Sequence, residues 1–233
     1  MRSFWNYFFT IILLFTVTDY CLAKVYERGY IINNQGDSLS GQIMKTRNID
    51  LSFEIIFKPR MDSDYTVIYT PDSIREFCFI DDQIIYNSVQ YWYYINDEKR
   101  YAKRFAKQIY CDKFTLYKLD IPKEETYYEF EAYKLYAYVL KLDTAFYTLS
   151  QREKIIIKES DVPTTFNESS AILPVQQFKP IKTYSTLKKE YVYILRYLLR
   201  DCSKGLQNVD HLDFQDKAFV SFFKKYGNCF IKY

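Results

Sequence analysis

The sequence predicts an α+β fold, in which an antiparallel, β-rich body is followed by two C-terminal helices. Short segments of Tyr, Phe, Ile and Val recur as far as residue 158, with Asn, Asp, Gly or Pro between them. Aromatic and β-branched side chains suit a pleated, half-buried strand. After residue 183 the apolar period becomes helical. A run of strands followed by helices is typical of α+β proteins.

The clearest strands lie near the start of the chain. Residues 29–32 form an apolar segment that leads into the turn sequence Asn33-Asn34-Gln35-Gly36-Asp37, and residues 38–43 then alternate between two faces. This pattern predicts a β-hairpin. By the same criteria we predict further strands at residues 53–57, 67–69, 74–80, 83–86, 105–110, 114–119, 145–149 and 154–158.

Three stretches give weaker patterns. Residues 87–104 are mixed and predict no element, whereas residues 126–142 favour strands, although their second half would also suit a helix. Residues 159–183 hold three of the six prolines and predict a connecting segment. We therefore divide the chain into a signal peptide (1–23), a β-rich domain (24–180) and a helical pair packed on that domain (181–233).

The two predicted helices differ in clarity. The first has an apolar residue every three or four positions from Leu187 to Leu198. The second has Asp213 as its predicted N-cap and Gly227 as a left-handed C-terminal stop. Its apolar stripe comprises Phe219, Phe222, Phe223 and Tyr226.

The first residues are typical of a Sec signal peptide. Arg2 supplies a positive charge, residues 8–17 are an apolar run of ten, and Cys21-Leu22-Ala23 offers small side chains at the cleavage positions. An uncleaved anchor is the weaker alternative, because a membrane span needs roughly 20 apolar residues. A lipoprotein signal is rejected because Tyr20 is too bulky for the position before the cysteine. We expect an exported protein of the periplasm, the outer-membrane surface or the extracellular space, with no transmembrane segment in its mature chain.

Four cysteines remain after that cleavage, and four cysteines allow three pairings. Cys202 and Cys229 each follow a predicted helix. Their pairing requires residues 203–212 to run back along the first helix, and ten residues can span up to roughly 33 Å. We predict this disulfide, and we predict that Cys78 and Cys111 are small buried side chains within strands.

The composition argues against nucleic acid as a partner, because the net charge is only +3 and the charges are interspersed. The aromatic content is high, with 25 Tyr and 19 Phe. Carbohydrate binding is one explanation, and a genome rich in A and T is the other. The aromatic candidates for stacking on a ligand are Tyr91, Trp92, Tyr93 and Tyr94.

Catalytic chemistry has little support in the sequence. The single His211 lies in a polar segment, and no cluster of cysteine and histidine has the spacing of a zinc site. The weak catalytic candidates are Glu129 and Glu131, which would share one face of a strand about 7 Å apart, a separation that inverting glycoside hydrolases use. Asp81-Asp82 and Asp62-Ser63-Asp64 are interpreted as polar turns rather than calcium sites. We expect no metal and no cofactor.

Three short stretches carry recognisable motifs. Residues 29–43 are similar to GYI-x-x-x-x-GD-[ST]-x-x-G-x-I, and residues 69–77 to YTPxDIxxF. Asp201-Cys202 and Tyr226-Gly227-Asn228-Cys229 are similar to a helical end in which Tyr-Asn-x-Cys is more frequent. In these stretches the chain resembles a family of exported proteins of Bacteroidota that has no established activity. The resemblance implies a compartment and a fold, but no reaction.

These observations favour a non-enzymatic, envelope-associated binding or structural module whose partner is an envelope protein or a glycan. The alternative is a periplasmic hydrolase of the glycosidase type that uses Glu129 and Glu131. An exposed cluster at residues 91–94 would favour binding, and burial of that cluster would weaken it.

Overall fold

The structure is a computed structural model. It describes residues 25–62, 64–95, 98–122, 125, 136–157 and 183–230.

Ten antiparallel strands form one half-barrel sheet in the described part of the chain, and two more strands form a separate antiparallel pair. The order across the large sheet is β10-β9-β8-β7-β6-β5-β1-β2-β3-β4. Its strands are β1 (Tyr26–Asn33), β2 (Ser38–Met44), β3 (Ile55–Lys58), β4 (Val67–Tyr69), β5 (Ile74–Phe79), β6 (Ile84–Ile95), β7 (Glu98–Cys111), β8 (Thr115–Asp120), β9 (Tyr136–Leu142) and β10 (Ala145–Leu149). The separate pair is β11 (Arg152–Ile157) with β12 (Thr183–Lys188).

The α+β class is confirmed, but the described C-terminal part has three α-helices where the sequence predicted two. No described helix combines the length and the apolar character that crossing a bilayer demands. A further short helix lies between the second and third strands. The helices are α1 (Asn48–Phe53), α2 (Glu190–Leu198), α3 (Ser203–Val209) and α4 (Asp216–Tyr226), followed by a 3-10 turn at Gly227–Phe230.

The predicted first hairpin is confirmed. Gly36 has a φ of 100°, a conformation that glycine adopts without steric cost, and the Asn33 side chain bonds both the amide and the carboxylate of Asp37. Gly29 of β1 pairs with Gly41 of β2, and each glycine lies close to the backbone of a further strand. A Cβ atom on either glycine would lie 2.5 Å from a carbonyl oxygen of the next strand. These glycines let β1 and β2 pack closely on their neighbours.

Three hydrophobic clusters stabilise the sheet. We call them the α1 cluster, the inner cluster and the helix cluster. In the α1 cluster, Leu51 of α1 packs with residues of β1–β3 and β5–β7. In the inner cluster, β6–β9 contribute Val89, Tyr91, Ala106, Tyr117, Leu119 and Val139. In the helix cluster, α2–α4 cover β8–β10, with Phe114, Tyr138 and Leu140 below and Tyr191, Leu195, Phe219 and Phe223 above.

The C-terminal helices α2 and α4 bury their apolar stripes, although the helix ends differ from the prediction. The aromatic stripe of α4 is buried as predicted. Gln215, not Asp213, is the N-cap, and Gly227 has the helical φ of −55° and continues into the 3-10 turn instead of stopping the helix. Leu187 lies in β12, so that α2 begins later than the apolar spacing suggested. The predicted division at residue 180 lies outside the described residues.

Cys202 and Cys229 lie at disulfide-bonding distance, with their Cα atoms 5.7 Å apart. Residues 203–212, which this pairing requires to run back along the first C-terminal helix, form helix α3 and the turn after it. Cys78 is buried in β5 as expected, but Cys111 is exposed at the end of β7. The prediction that Cys111 is buried is therefore wrong. Cys111 is the last residue of β7, and its side chain is exposed where the chain turns at residues 112–114.

Asp216 joins the start of α4 to the sheet beneath it. Its carboxylate accepts hydrogen bonds from Lys118 at 2.8 and 3.0 Å and from the Tyr138 hydroxyl at 2.6 Å. Partial burial alone would raise the pKa of Asp216, but these bonds and the nearby lysine charges outweigh it, and the pKa is lowered. The carboxylate therefore stabilises the folded protein in its charged form.

We predict that Asp216→Asn lowers the free energy of unfolding at pH 7 by about 1 kcal/mol, since the bonds are charge-assisted but partly exposed. A carboxyl with a lowered pKa stabilises the fold above its unfolded value, and this contribution is lost as the pH falls below about 4. Urea titrations from pH 7 to pH 2 should show the two proteins converging in acid. Asp210→Asn is the matched control, because both side chains are 45% exposed and Asp210 holds only a surface Arg196. A difference that persists unchanged at pH 2 would contradict this account.

Candidate functional site

Strands β6 and β7 form a ribbon that extends beyond its neighbours. β5 pairs with β6 only as far as Asn87, and β8 pairs with β7 only from Lys107 onward. Among the strands that the structure describes, residues 88–95 and 98–105 are therefore paired only with one another. Strand β10 also contacts β6: the backbone amide of Trp92 donates a hydrogen bond to Thr148 Oγ1 at 3.0 Å. The ribbon carries all four aromatic candidates from the sequence analysis, Tyr91, Trp92, Tyr93 and Tyr94.

Strand alternation divides the predicted aromatic run between two faces. Tyr91 is only 1% exposed and packs in the inner cluster, where Tyr93 stacks on it with ring centroids 5.5 Å apart. Trp92 faces the opposite side. The side chain of Tyr94 lies outside the described residues. Burial removes Tyr91 from any surface that stacks on a ligand.

The outer face of the ribbon carries a different cluster, which we call the ribbon platform: Trp92, Lys99 and Tyr101. Trp92 and Tyr101 are directly opposite in the antiparallel register, and Tyr101 is 60% exposed. The Lys99 ammonium lies 4.8 Å from the centre of the Trp92 ring and 5.2 Å from that of Tyr101. At this range the cation is attracted to both ring faces.

Sequence reasoning missed Lys99 and Tyr101. Their place beside Trp92 depends on the exact register of β6 on β7, in which Trp92 is opposite Tyr101. The sequence between the two strands has no Asn-Gly or Asp-Gly signal of the kind that marks tight hairpins, since residues 96 and 97 are Asn and Asp. The sequence shows that Trp92 and Tyr101 are aromatic, but it does not show that they lie opposite each other.

The inner face of the ribbon holds a largely buried ion pair between Arg104 of β7, whose side chain is 19% exposed, and Glu125. The Glu125 side chain is 9% exposed, and the Arg104 guanidinium also lies over the Phe53 ring, 4.2 Å from its centre. Burial raises the pKa of Glu125 and lowers that of Arg104, whereas their contact favours the charged form of each. Three buried polar atoms here have no hydrogen-bond partner among the residues that the structure describes: Tyr91 OH, Arg104 Nε and Glu125 Oε2.

This ion pair connects separate parts of the fold rather than presenting a reactive group. A general acid or base must reach a substrate atom, and the Glu125 carboxylate is instead buried against Arg104. The pair ties the chain that follows β8 to the ribbon, 21 residues apart in sequence. Sequence patterns could not reveal it, because nothing local relates the two residues.

The described residues do not bring any of the catalytic or metal candidates together in a site. Glu129 and Glu131 lie outside the described residues. Asp81 and Asp82 are bound to Arg28 and Lys45 respectively, and His211 is exposed. Within the described ranges, no group of three or more Asp, Glu, His or Cys side chains is placed to hold a metal ion.

We predict that Glu125→Ala lowers the free energy of unfolding by about 3 kcal/mol, because Arg104 is then left buried without its counter-charge. The double variant Arg104→Met/Glu125→Leu should lose less than the single change, since no unpaired charge remains. Urea denaturation measures both. Asp72→Ala is the control: its pair with Lys103 is exposed and should be worth under about 1 kcal/mol. A double variant that is less stable than Glu125→Ala would contradict this interpretation.

The chain matches no protein-family model, no curated protein and no solved structure. The resemblance to exported proteins of Bacteroidota therefore stays a prediction, and the ribbon has to be interpreted from its own chemistry.

Proposed function

We propose that this chain is a non-enzymatic binding module that acts outside the cytoplasm, in association with the cell envelope, and that the ribbon platform is the surface that contacts a partner protein. The observation that carries the proposal is the cluster of half-buried Trp92 with exposed Lys99 and Tyr101, on the part of the ribbon that extends beyond β5 and β8. Trp and Tyr are the residues most enriched among those that dominate binding energy at protein interfaces.

Two features support an exported location. The first residues carry the order of charge, apolar run and small cleavage residues that signal peptidase recognises. Cys202 and Cys229 lie at disulfide distance, and disulfides persist in oxidising compartments. Membership of the Bacteroidota family is part of the same proposal and rests on the three short motifs alone.

The geometry of the platform favours a protein over a glycan. A sugar stacks on the open face of an aromatic ring, but the Lys99 ammonium lies over the faces of both Trp92 and Tyr101. Small ligands also prefer concave sites, whereas the platform lies on one face of a two-stranded ribbon. An aromatic pair with a cation between its rings fits a partner surface that is apolar and carries a carboxylate.

The test is cross-linked capture of partners from the protein's own envelope fraction with three baits. We predict that wild-type protein captures one recurrent envelope protein and that Trp92→Ala/Tyr101→Ala reduces its recovery at least tenfold, as loss of an interface hot spot should. Lys99→Glu should reduce recovery as well, because it would oppose the partner's carboxylate.

The matched control is Tyr193→Ala/Tyr197→Ala on α2. It removes two rings that are 74% and 60% exposed at a different surface, and it should leave capture unchanged. Equal recovery with all baits would show that the platform is not the contact surface. Binding to a polysaccharide array that depends on Trp92, with no recurrent protein, would overturn the proposal in favour of a glycan.

A further inference from the structure

An open groove of about 450 Å³ lies between helix α4 and strand β7, away from the ribbon platform. Its floor is apolar, formed by Ile109 of β7 and Val220 of α4. Its remaining lining residues are polar or charged: Asp216, Lys217, Ser221 and Lys224.

Helical spacing places the polar residues of the groove in a row. Lys217, Ser221 and Lys224 are four and three positions apart, so that they lie on one face of α4. Seven residues of helix rise by about 10 Å. The two lysines therefore lie near opposite ends of the groove, with the Ser221 hydroxyl between them.

The groove has an excess of positive charge. Its one carboxylate, Asp216, is already engaged by Lys118 and by the Tyr138 hydroxyl. Lys107 is close enough for its charge to act on Asp216 as well. No side chain of the described residues caps the first turn of α4, so the backbone N–H groups of that turn add partial positive charge at the same end of the groove.

We infer that this groove binds a segment of an acidic polysaccharide, with anionic groups on Lys217 and Lys224 and a sugar ring over Ile109 and Val220. Its length suits a chain with charges about two helical turns apart, and its openness suits an extended ligand better than an enclosed small molecule. The apolar floor matches the C–H face of a sugar ring. The inference uses none of the residues of the ribbon platform, so either can fail without the other.

The experiment measures binding of short oligogalacturonates, with neutral dextran oligomers as the uncharged comparison, by calorimetry on the mature protein. We expect the charged oligomer to bind, the neutral one not to bind, and the affinity to fall with added salt. Lys217→Gln/Lys224→Gln should weaken binding at least tenfold. Lys204→Gln/Lys225→Gln removes two other lysines, one of them on the same helix, and should change affinity less than twofold.

Ser221→Glu provides a second variant, which keeps every lysine and places a negative charge in the middle of the groove. It should abolish binding while the thermal midpoint of unfolding stays near that of the wild type. Equal losses in the two lysine pairs would show attraction to general positive charge and overturn the inference. So would binding to anionic lipid vesicles alone with the same dependence on Lys217 and Lys224, or no binding of any charged oligomer.

Discussion

Strands β6 and β7 contribute side chains to two hydrophobic clusters, one on each face of the pair, and the rest of the structure depends on this two-sided packing. Because successive side chains of a strand point to opposite faces, Tyr86 and Phe105 pack in the α1 cluster, while Tyr91 and Ala106 pack in the inner cluster. A slip of one residue in the register would exchange these faces and expose both sets. The two-sided burial is therefore what holds the ribbon in one register.

That constraint also explains where binding chemistry can lie. At residues 86–89 and 105–106 the ribbon is largely buried on both faces, whereas the face opposite the inner cluster opens at Gln90 and Lys103, and beyond them Trp92, Lys99 and Tyr101 meet. The groove between β7 and α4 arises differently. It follows from a helix whose aromatic stripe is fixed on the sheet by Phe219 and Phe223, which leaves the lysine face turned outward beside Ile109.

Local signals were enough to predict the first hairpin, the aromatic stripe of α4 and the meeting of Cys202 with Cys229. Turn residues and helical spacing act within a few positions, so sequence shows them. Of the ribbon, strands were predicted only at residues 83–86 and 105–110. Residues 87–104 gave no prediction, because aromatic residues occupy both faces there and no alternation appears. Helix α3 was missed because it buries only Gly205 and Val209, too few for a clear period. The ribbon platform and the Arg104–Glu125 pair depend on register and on contacts between distant residues.

Native-state hydrogen exchange tests the two-sided burial of the ribbon most directly. Amides at residues 86–91 and 102–107 should be among the slowest of the protein, exchanging only through global unfolding, while those of the short edge strand β4 should exchange through local opening. The same slow exchange should persist in Trp92→Ala/Tyr101→Ala, since those side chains lie outside both clusters. Amides of the ribbon that exchange as fast as those of β4 would contradict the claim that β6 and β7 are held between two cores.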